Sequence, residues 1–174
     1  IINACVANAV KKLVCLSTDK AVYPINAMGM TKALMEKIAL SIANNLHKSK
    51  TKIMITRYGN VMFSRGSVLP LFINQINQNK NITVTDFKMT RFLMSLDDSV
   101  DLVLYAYQNG EQGAIYAQKS PASTVMDLAQ ALKEIFNSDS SVRIIGTRHG
   151  EKLYESLISR EEMARAIDLK DYYM

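Results

Sequence analysis

The sequence predicts a doubly wound parallel α/β fold. Three observations predict it. Short apolar runs end in polar clusters, longer segments between them carry apolar residues at helical spacing, and the two kinds alternate through about the first sixty residues. Two polar clusters close successive predicted strands. In an open α/β sheet that placement puts both beside one crevice at the carboxyl ends of the strands, where ligands bind.

The elements follow in order. Ile1–Val10 has apolar residues at 2, 5, 6, 9 and 10 and reads as a helix already under way. With no Met at position 1, the sequence is expected to be a fragment or truncated product. Lys12–Ser17 is a short apolar run suited to a buried parallel strand, ending in Ser17-Thr18-Asp19-Lys20. Pro24 and Asn26 mark a loop, and Ala27–Leu46 is a long helix with Leu34, Met35, Ile38, Ala39, Ile42 and Leu46 on its apolar positions. Lys52–Thr56 is a second strand, followed by a polar loop from Arg57 to Gly66.

Ser67 caps a helix through about Gln78, and Ile82–Thr85 and Arg91–Ser95 are short strands. Asp97–Gln108 is a helix with acids in its first turn, which suits the helix dipole. Gly113–Ala117 is a strand, Ser123 or Thr124 opens a helix through Phe136, Val142–Ile145 is a strand, and Ser159–Met163 is a short capped helix. Residues 1–62 therefore read as the C-terminal part of the doubly wound domain. Residues 63–174 read mainly as a smaller mixed α/β ligand-binding lobe, with room for a return to the main sheet.

Hydrophobic residues make up 48% and charged residues 21%, enough to fill a core. No apolar run reaches the ~20 residues of a membrane span, and Ile1–Val10 lacks the basic start of a signal peptide. Cys5 and Cys15 have no metal or redox spacing and read as reduced thiols of a cytoplasmic protein, small and buried. His47 and His149 share no ligand spacing with each other or with Cys, so no metal is expected. His47 reads as a solvated residue near a helix end.

The net charge of +5 is uneven. Residues 1–66 hold ten Lys and Arg against two acids, whereas residues 67–174 hold eleven against fourteen. A basic first third suits an anionic ligand such as a diphosphate. Zinc-finger, basic-zipper and RNP-like patterns are absent, so no nucleic-acid partner is expected. Lys48, Lys50 and Lys52 read as solvated loop charges.

Five ordered motifs carry a family resemblance across essentially the whole chain. They are Ser17-Thr18-Asp19-Lys20 with its continuation to Gly29-Met30-Thr31-Lys32, Arg57-Tyr58-Gly59-Asn60-Val61, Ser64 to Pro70, Met89-Thr90-Arg91-Phe92, and Arg148-His149-Gly150-Glu151-Lys152-Leu153-Tyr154-Glu155. Together they resemble the extended short-chain dehydrogenase/reductases, and more narrowly the nucleotide-sugar 4,6-dehydratases and 4-epimerases of bacterial capsule and O-antigen synthesis. The resemblance implies a Rossmann-like sheet, NAD or NADP as cofactor, a UDP-sugar substrate, and a homo-oligomer that packs through the Ala27–Leu46 helix.

By that resemblance Thr18 binds the sugar C4 oxygen, Asp19 is the acid for the departing C6 hydroxyl and Lys20 is the base at C5. An acid and an amine side by side can serve two proton transfers on neighbouring carbons. Lys32 matches the lysine of a Tyr-x-x-x-Lys signature, but Met28 stands at the tyrosine position. A thioether cannot take a hydroxyl proton, so the C4 base stays open among Asp19, Lys20 and a water held by Lys32, with Tyr23 a nearby phenol. Ser17, Lys32, Tyr58 and Val61 are the implied cofactor contacts. Asn60, Arg65, Ser67, Val68, Arg91, Arg148 and Glu151 are the implied substrate contacts, the two later arginines for diphosphate or ribose because Arg offers a planar fork to phosphate oxygens. Arg57 reads more readily as a structural residue.

No segment has G-x-G-x-x-G spacing, so this chain by itself is expected to hold the dinucleotide pyrophosphate poorly and to show no turnover alone. The Asp19–Lys20 pair favours a UDP-N-acetylglucosamine 4,6-dehydratase, with or without inversion at C5. A UDP-glucose or UDP-N-acetylglucosamine 4-epimerase is the alternative in the same fold. A non-catalytic remnant that binds nucleotide or a partner is the alternative of another class.

Overall fold

A computed structural model describes residues 1–46 and 50–174. The expectations for His47 and Lys48 lie outside the described residues. The chain divides into two compact units, residues 1–59, 97–119 and 156–174 forming the first and residues 60–96 and 120–155 the second. This differs from the division at 62/63 expected from the sequence. The reason is pairing: a strand after residue 114 adds to the first sheet, and the C-terminal segment adds another.

The first unit is built on a four-stranded sheet in the order β1 (Lys12–Thr18), β2 (Lys52–Tyr58), β6 (Ile115–Gln118) and β9 (Tyr172–Tyr173). The first three are parallel and β9 is antiparallel. Residues 53–57 of β2 are buried without interruption, as in a strand covered on both faces. Alternation along that strand decides which helix covers which face. Ile53 and Ile55 pack with Ala39 and Ala43 of α2 (Ala27–Asn45), whereas Met54 packs with Leu102 and Ala106 of α4 (Leu96–Asn109) and with Tyr116. Helices on both faces of a parallel sheet make the unit doubly wound. The first helix, α1 (Ile2–Ala7), is shorter than expected and contributes Ile2 to the α2 side. The expected strand start at Gly113 moves to Ile115 because Gly113 adopts φ +73°, a turn conformation, while its N–H donates to the Ile53 carbonyl at 2.9 Å.

The second unit packs α3 (Val68–Asn77) and α5 (Val125–Ile135) around β4 (Ile82–Val84). Leu69, Phe72 and Ile76 recur at helical spacing on α3, and Val125, Ala129 and Leu132 on α5, so each helix buries one stripe. Thr124 and Asp127 form a reciprocal capping box that starts α5. β4 pairs in parallel with β8 (Val142–Ile144), and β5 (Thr90–Met94) lies between β3 (Asn60–Val61) and β7 (Ala122–Thr124). Strands β3, β7 and β9 are too short for alternation to reveal them in sequence. Back in the first unit, the remaining helix α6 (Arg160–Met163) is opened by Ser159 through a second capping box with Glu162. Among the described residues no helix is long and apolar enough to cross a membrane, and no group of three His, Cys, Asp or Glu is placed to hold a metal.

Candidate active site

In the first unit, β1 delivers Thr18 to the carboxyl end of the sheet, where its register partner is Tyr58. The chain then turns through a 3₁₀ helix, Asp19–Ala21, capped by Thr18: its Oγ1 accepts from the Lys20 N–H at 3.4 Å. The same hydroxyl donates to Asp19 Oδ1 at 2.8 Å, and Lys20 Nζ donates to that oxygen at 2.8 Å. Asp19 is fully buried, and its second oxygen, Oδ2, has no partner. The Lys20 side chain keeps 22% of its surface exposed. The turn therefore joins a hydroxyl, a carboxyl and an amine on one oxygen and leaves one carboxyl oxygen free.

Helix α2 begins against this turn. The Asn26 side chain accepts from Gly29 N–H at 2.8 Å, a cap that fixes the helix start. Gly29 itself lies so close to the turn that a Cβ there would stand 2.3 Å from the Lys20 carbonyl oxygen. One turn further on, Lys32 Nζ donates to the Leu16 carbonyl at 2.8 Å, which ties the ammonium to the end of β1. Met28, four residues before Lys32 and so on the same helix face, is 46% exposed.

Two sequence expectations, for Ser17 and Tyr23, change here. The Ser17 hydroxyl, expected to meet the cofactor, is buried and donates to Glu36 Oε1. It points into the protein because side chains alternate along β1, and Ser17 and Thr18 take opposite faces. The Tyr23 hydroxyl is taken by the α6 end, donating to Glu161 Oε2 at 3.0 Å and accepting from the Arg160 N–H at 3.1 Å. That leaves it engaged rather than waiting for a sugar proton. Arg57 is structural, 2% exposed and bound to two glutamates. Burial works against its charge, but hydrogen bonds and attraction from Glu162 and Glu36 outweigh it, and the guanidinium is held firmly protonated. Burial also pushes the Tyr58 phenol and the Cys15 thiol up, the latter helped by Cys5 and opposed by Lys32.

The second unit holds a cavity of about 280 Å³. Asn60, Val61, Ser67, Val68, Arg91, Arg148 and Glu151 all line it. Asn60 Oδ1 and Ser67 Oγ are buried there without partners. The Arg91 guanidinium donates through Nη1 to the Thr90 and Lys152 carbonyls at 2.7 and 3.0 Å, which anchors it and turns it toward the loop after β8. That loop is closed by Arg148 and Glu151: the Arg148 N–H donates to the Glu151 carboxylate at 3.1 Å, and the Glu151 N–H donates to the Arg148 carbonyl at 3.2 Å. Arg65 is exposed and outside the cavity lining; its neighbour Gly66, with φ +75°, lines the wall instead. Leu69, Met89, Leu93, Val125 and Ile145 supply an apolar wall. Sequence reading missed these residues because each also has a core periodicity. It missed Glu36 too, although an acid on the buried side of a helix, four residues after Lys32, was the available signal.

A doubly wound sheet with a Thr-Asp-Lys turn at a strand end, and a second unit with an arginine-bearing cavity, are the arrangement expected of an extended short-chain dehydrogenase/reductase fold. The chain belongs to the polysaccharide biosynthesis protein family, which matches residues 1–174. Over 173 residues it is 64% identical to a UDP-glucose 4-epimerase of Rickettsia rickettsii (strain Sheila Smith), covering 99% of this chain and 51% of that protein. Among solved structures, Pen from Bacillus thuringiensis is 37% identical with a TM-score of 0.93, covering 99% of this chain and 55% of that one. DesIV, a dTDP-glucose 4,6-dehydratase from Streptomyces venezuelae solved with NAD and TYD, is 21% identical with a TM-score of 0.80 over 92% of this chain and 55% of that one, a likeness of fold. The chain spans about half the length of the curated relatives it matches.

Proposed function

We propose that this chain carries the sugar-modifying residues of an NAD(P)-dependent nucleotide-sugar enzyme that works through a 4-keto sugar, and that its reaction is the 4,6-dehydration of UDP-N-acetylglucosamine. The observation that carries this reading is the Asp19–Lys20 pair, 2.8 Å apart, with the Asp19 Oδ2 buried and unpartnered. Dehydration removes a proton at C5 and a hydroxyl at C6. An amine accepting the first and a carboxylic acid protonating the second meet that need with one group each.

The protons balance over the whole cycle. The reaction starts with a neutral amine and a protonated acid. Lys20 takes the C5 proton, Asp19 gives its proton to the leaving hydroxyl, and water departs. The pair is left as ammonium and carboxylate, the state in which the contact between Lys20 Nζ and Asp19 Oδ1 is strongest. As C6 is reduced to a methyl group Lys20 gives its proton back to C5, and the proton released from the C4 hydroxyl restores the Asp19 acid, so one water is the net loss. Thr18 holds the C4 oxygen beside them.

For the dinucleotide, Lys32 fits the ribose end: one ammonium proton goes to Leu16 and two remain for ribose hydroxyls. Tyr58 and Val61 are the further contacts. When bound, the cofactor supplies a hydride acceptor at C4 that is regenerated in the cycle. In the second unit, Arg91 and Arg148 with the unpartnered Asn60 and Ser67 oxygens suit the UDP moiety. Met30, Leu34 and Ile38, four residues apart and exposed on α2, support a second copy packing on that helix.

The 4-epimerase is the second reading, favoured by the Rickettsia relative's name. It needs neither a C5 base nor a C6 acid. Incubation of the full-length protein with UDP-N-acetylglucosamine or UDP-glucose and NAD(P), followed by mass spectrometry, separates them. Loss of one water from UDP-N-acetylglucosamine is expected. An isomer of unchanged mass would establish the epimerase instead.

A further inference from the structure

We propose that the Glu36–Arg57–Glu162 triad, its first two members buried, is a positioning device that holds the Thr18–Lys20 turn in its reactive geometry through the hydroxyl of Ser17; the inference rests on the function proposed above. Ser17 and Arg57 are register partners at the carboxyl ends of β1 and β2, and the triad lies beneath the residue that begins the turn. Every donor of the Arg57 fork has an acceptor. Nε donates to Glu36 Oε1 at 3.1 Å, Nη2 to Glu36 Oε2 at 2.6 Å and Glu162 Oε1 at 3.1 Å, and Nη1 to Glu162 Oε2 at 2.8 Å and the Leu157 carbonyl at 2.9 Å. Ser17 adds its hydroxyl to Glu36 Oε1. Ser17, Glu36 and Arg57 are each at most 3% exposed.

Burying the charges of Glu36 and Arg57 is costly, and a well-packed apolar set in their place is often as stable. What the ionic set supplies is geometry. A planar guanidinium with five filled directions locks two carboxylates, and one of them locks Ser17. A second, independent contact joins the same parts. Tyr23, just past the turn, adopts φ +47°, a conformation costly for a bulky residue, and its hydroxyl meets Arg160 and Glu161 of α6. The Ser159–Glu162 segment thereby grips the turn from both sides, through Arg57 beneath it and through Tyr23 beyond it. The turn's own hydrogen bonds, Lys20 N–H to Thr18 Oγ1 and Val22 N–H to the Asp19 carbonyl, are the ones this grip maintains.

The test combines amide hydrogen exchange with steady-state kinetics on the full-length protein and its Ser17→Ala and Glu162→Gln variants, with thermal melts to verify folding. Positioning predicts faster exchange at Lys20 and Val22 in both variants, and kcat lowered by about tenfold to a hundredfold with KM for the nucleotide-sugar within about twofold. Unchanged exchange at the turn in both folded variants overturns the proposal, and so does unchanged kcat. A fall in kcat with unchanged exchange overturns it as well, because Ser17 then acts on the reactants directly. If the parent protein leaves nucleotide-sugars intact, the functional reading fails instead, and exchange alone decides whether the triad holds the turn.

Discussion

At the scale of single residues, Asp19 is the proposed acid. It is fully buried, shares one oxygen with Thr18 and Lys20, and keeps the other free. Asp19→Asn retains the shape but has no proton to give a leaving hydroxyl, so water loss is expected to fall by about 10²–10⁴-fold, measured as product by mass spectrometry. Lys32 and Met28 share a helix face but differ in what they can hold. Lys32→Ala removes the ammonium at Leu16, whereas Met28→Ala trims a half-exposed thioether with no assigned proton. Turnover is expected to survive Met28→Ala and to drop about a hundredfold in Lys32→Ala. Equal losses in two folded variants would overturn that difference between Lys32 and Met28.

Between elements, the decisive contact is the first turn of α2 against the Asp19–Ala21 turn. A Cβ on Gly29 would stand 2.3 Å from the Lys20 carbonyl oxygen, a backbone atom that cannot swing aside. Gly29→Ala is therefore expected to cost about 1–3 kcal/mol in a thermal or denaturant melt, although alanine ordinarily improves a helix. The α6 end carries a pH dependence. Burial pushes Glu162 up, but hydrogen bonds from Arg57 and the Ser159 N–H, with the charges of Arg57 and Lys37, hold it below its ordinary 4.5. A depressed carboxyl stabilises the fold above pH 4.5 and loses that contribution as pH falls through its folded value. Glu162→Gln is expected to flatten the acid limb of the stability curve below pH 4.5 and to leave its slope at neutral pH unchanged, as read from melts across pH.

Across the whole molecule, ligand occupancy should appear as stability. With UDP binding the cavity of the second unit, a concentration about a hundredfold above Kd is expected to stabilise the protein by ~3 kcal/mol, and Arg148→Ala to abolish most of that gain. An Arg148→Ala protein that UDP stabilises as well as the parent would place the nucleotide elsewhere. Legible in the sequence were the alternation of helix and strand, the caps at Thr124 and Ser159, the helix start after Ser67 (whose hydroxyl makes no cap bond), and the residues of both polar clusters. These are local matters of period, side-chain chemistry and ordered motifs. It could not show that Ser17 turns inward while Thr18 turns outward, because a strand's two faces are told apart only by what packs on them. Nor could it show that residues 97–119 and 156–174 rejoin the first sheet, that Tyr23 is spent on α6, or that Arg57 is shared by glutamates 21 positions before it and 105 after it. Those contacts join residues far apart in the chain. Their partners are selected by strand order and close packing, and only the tertiary structure decides both.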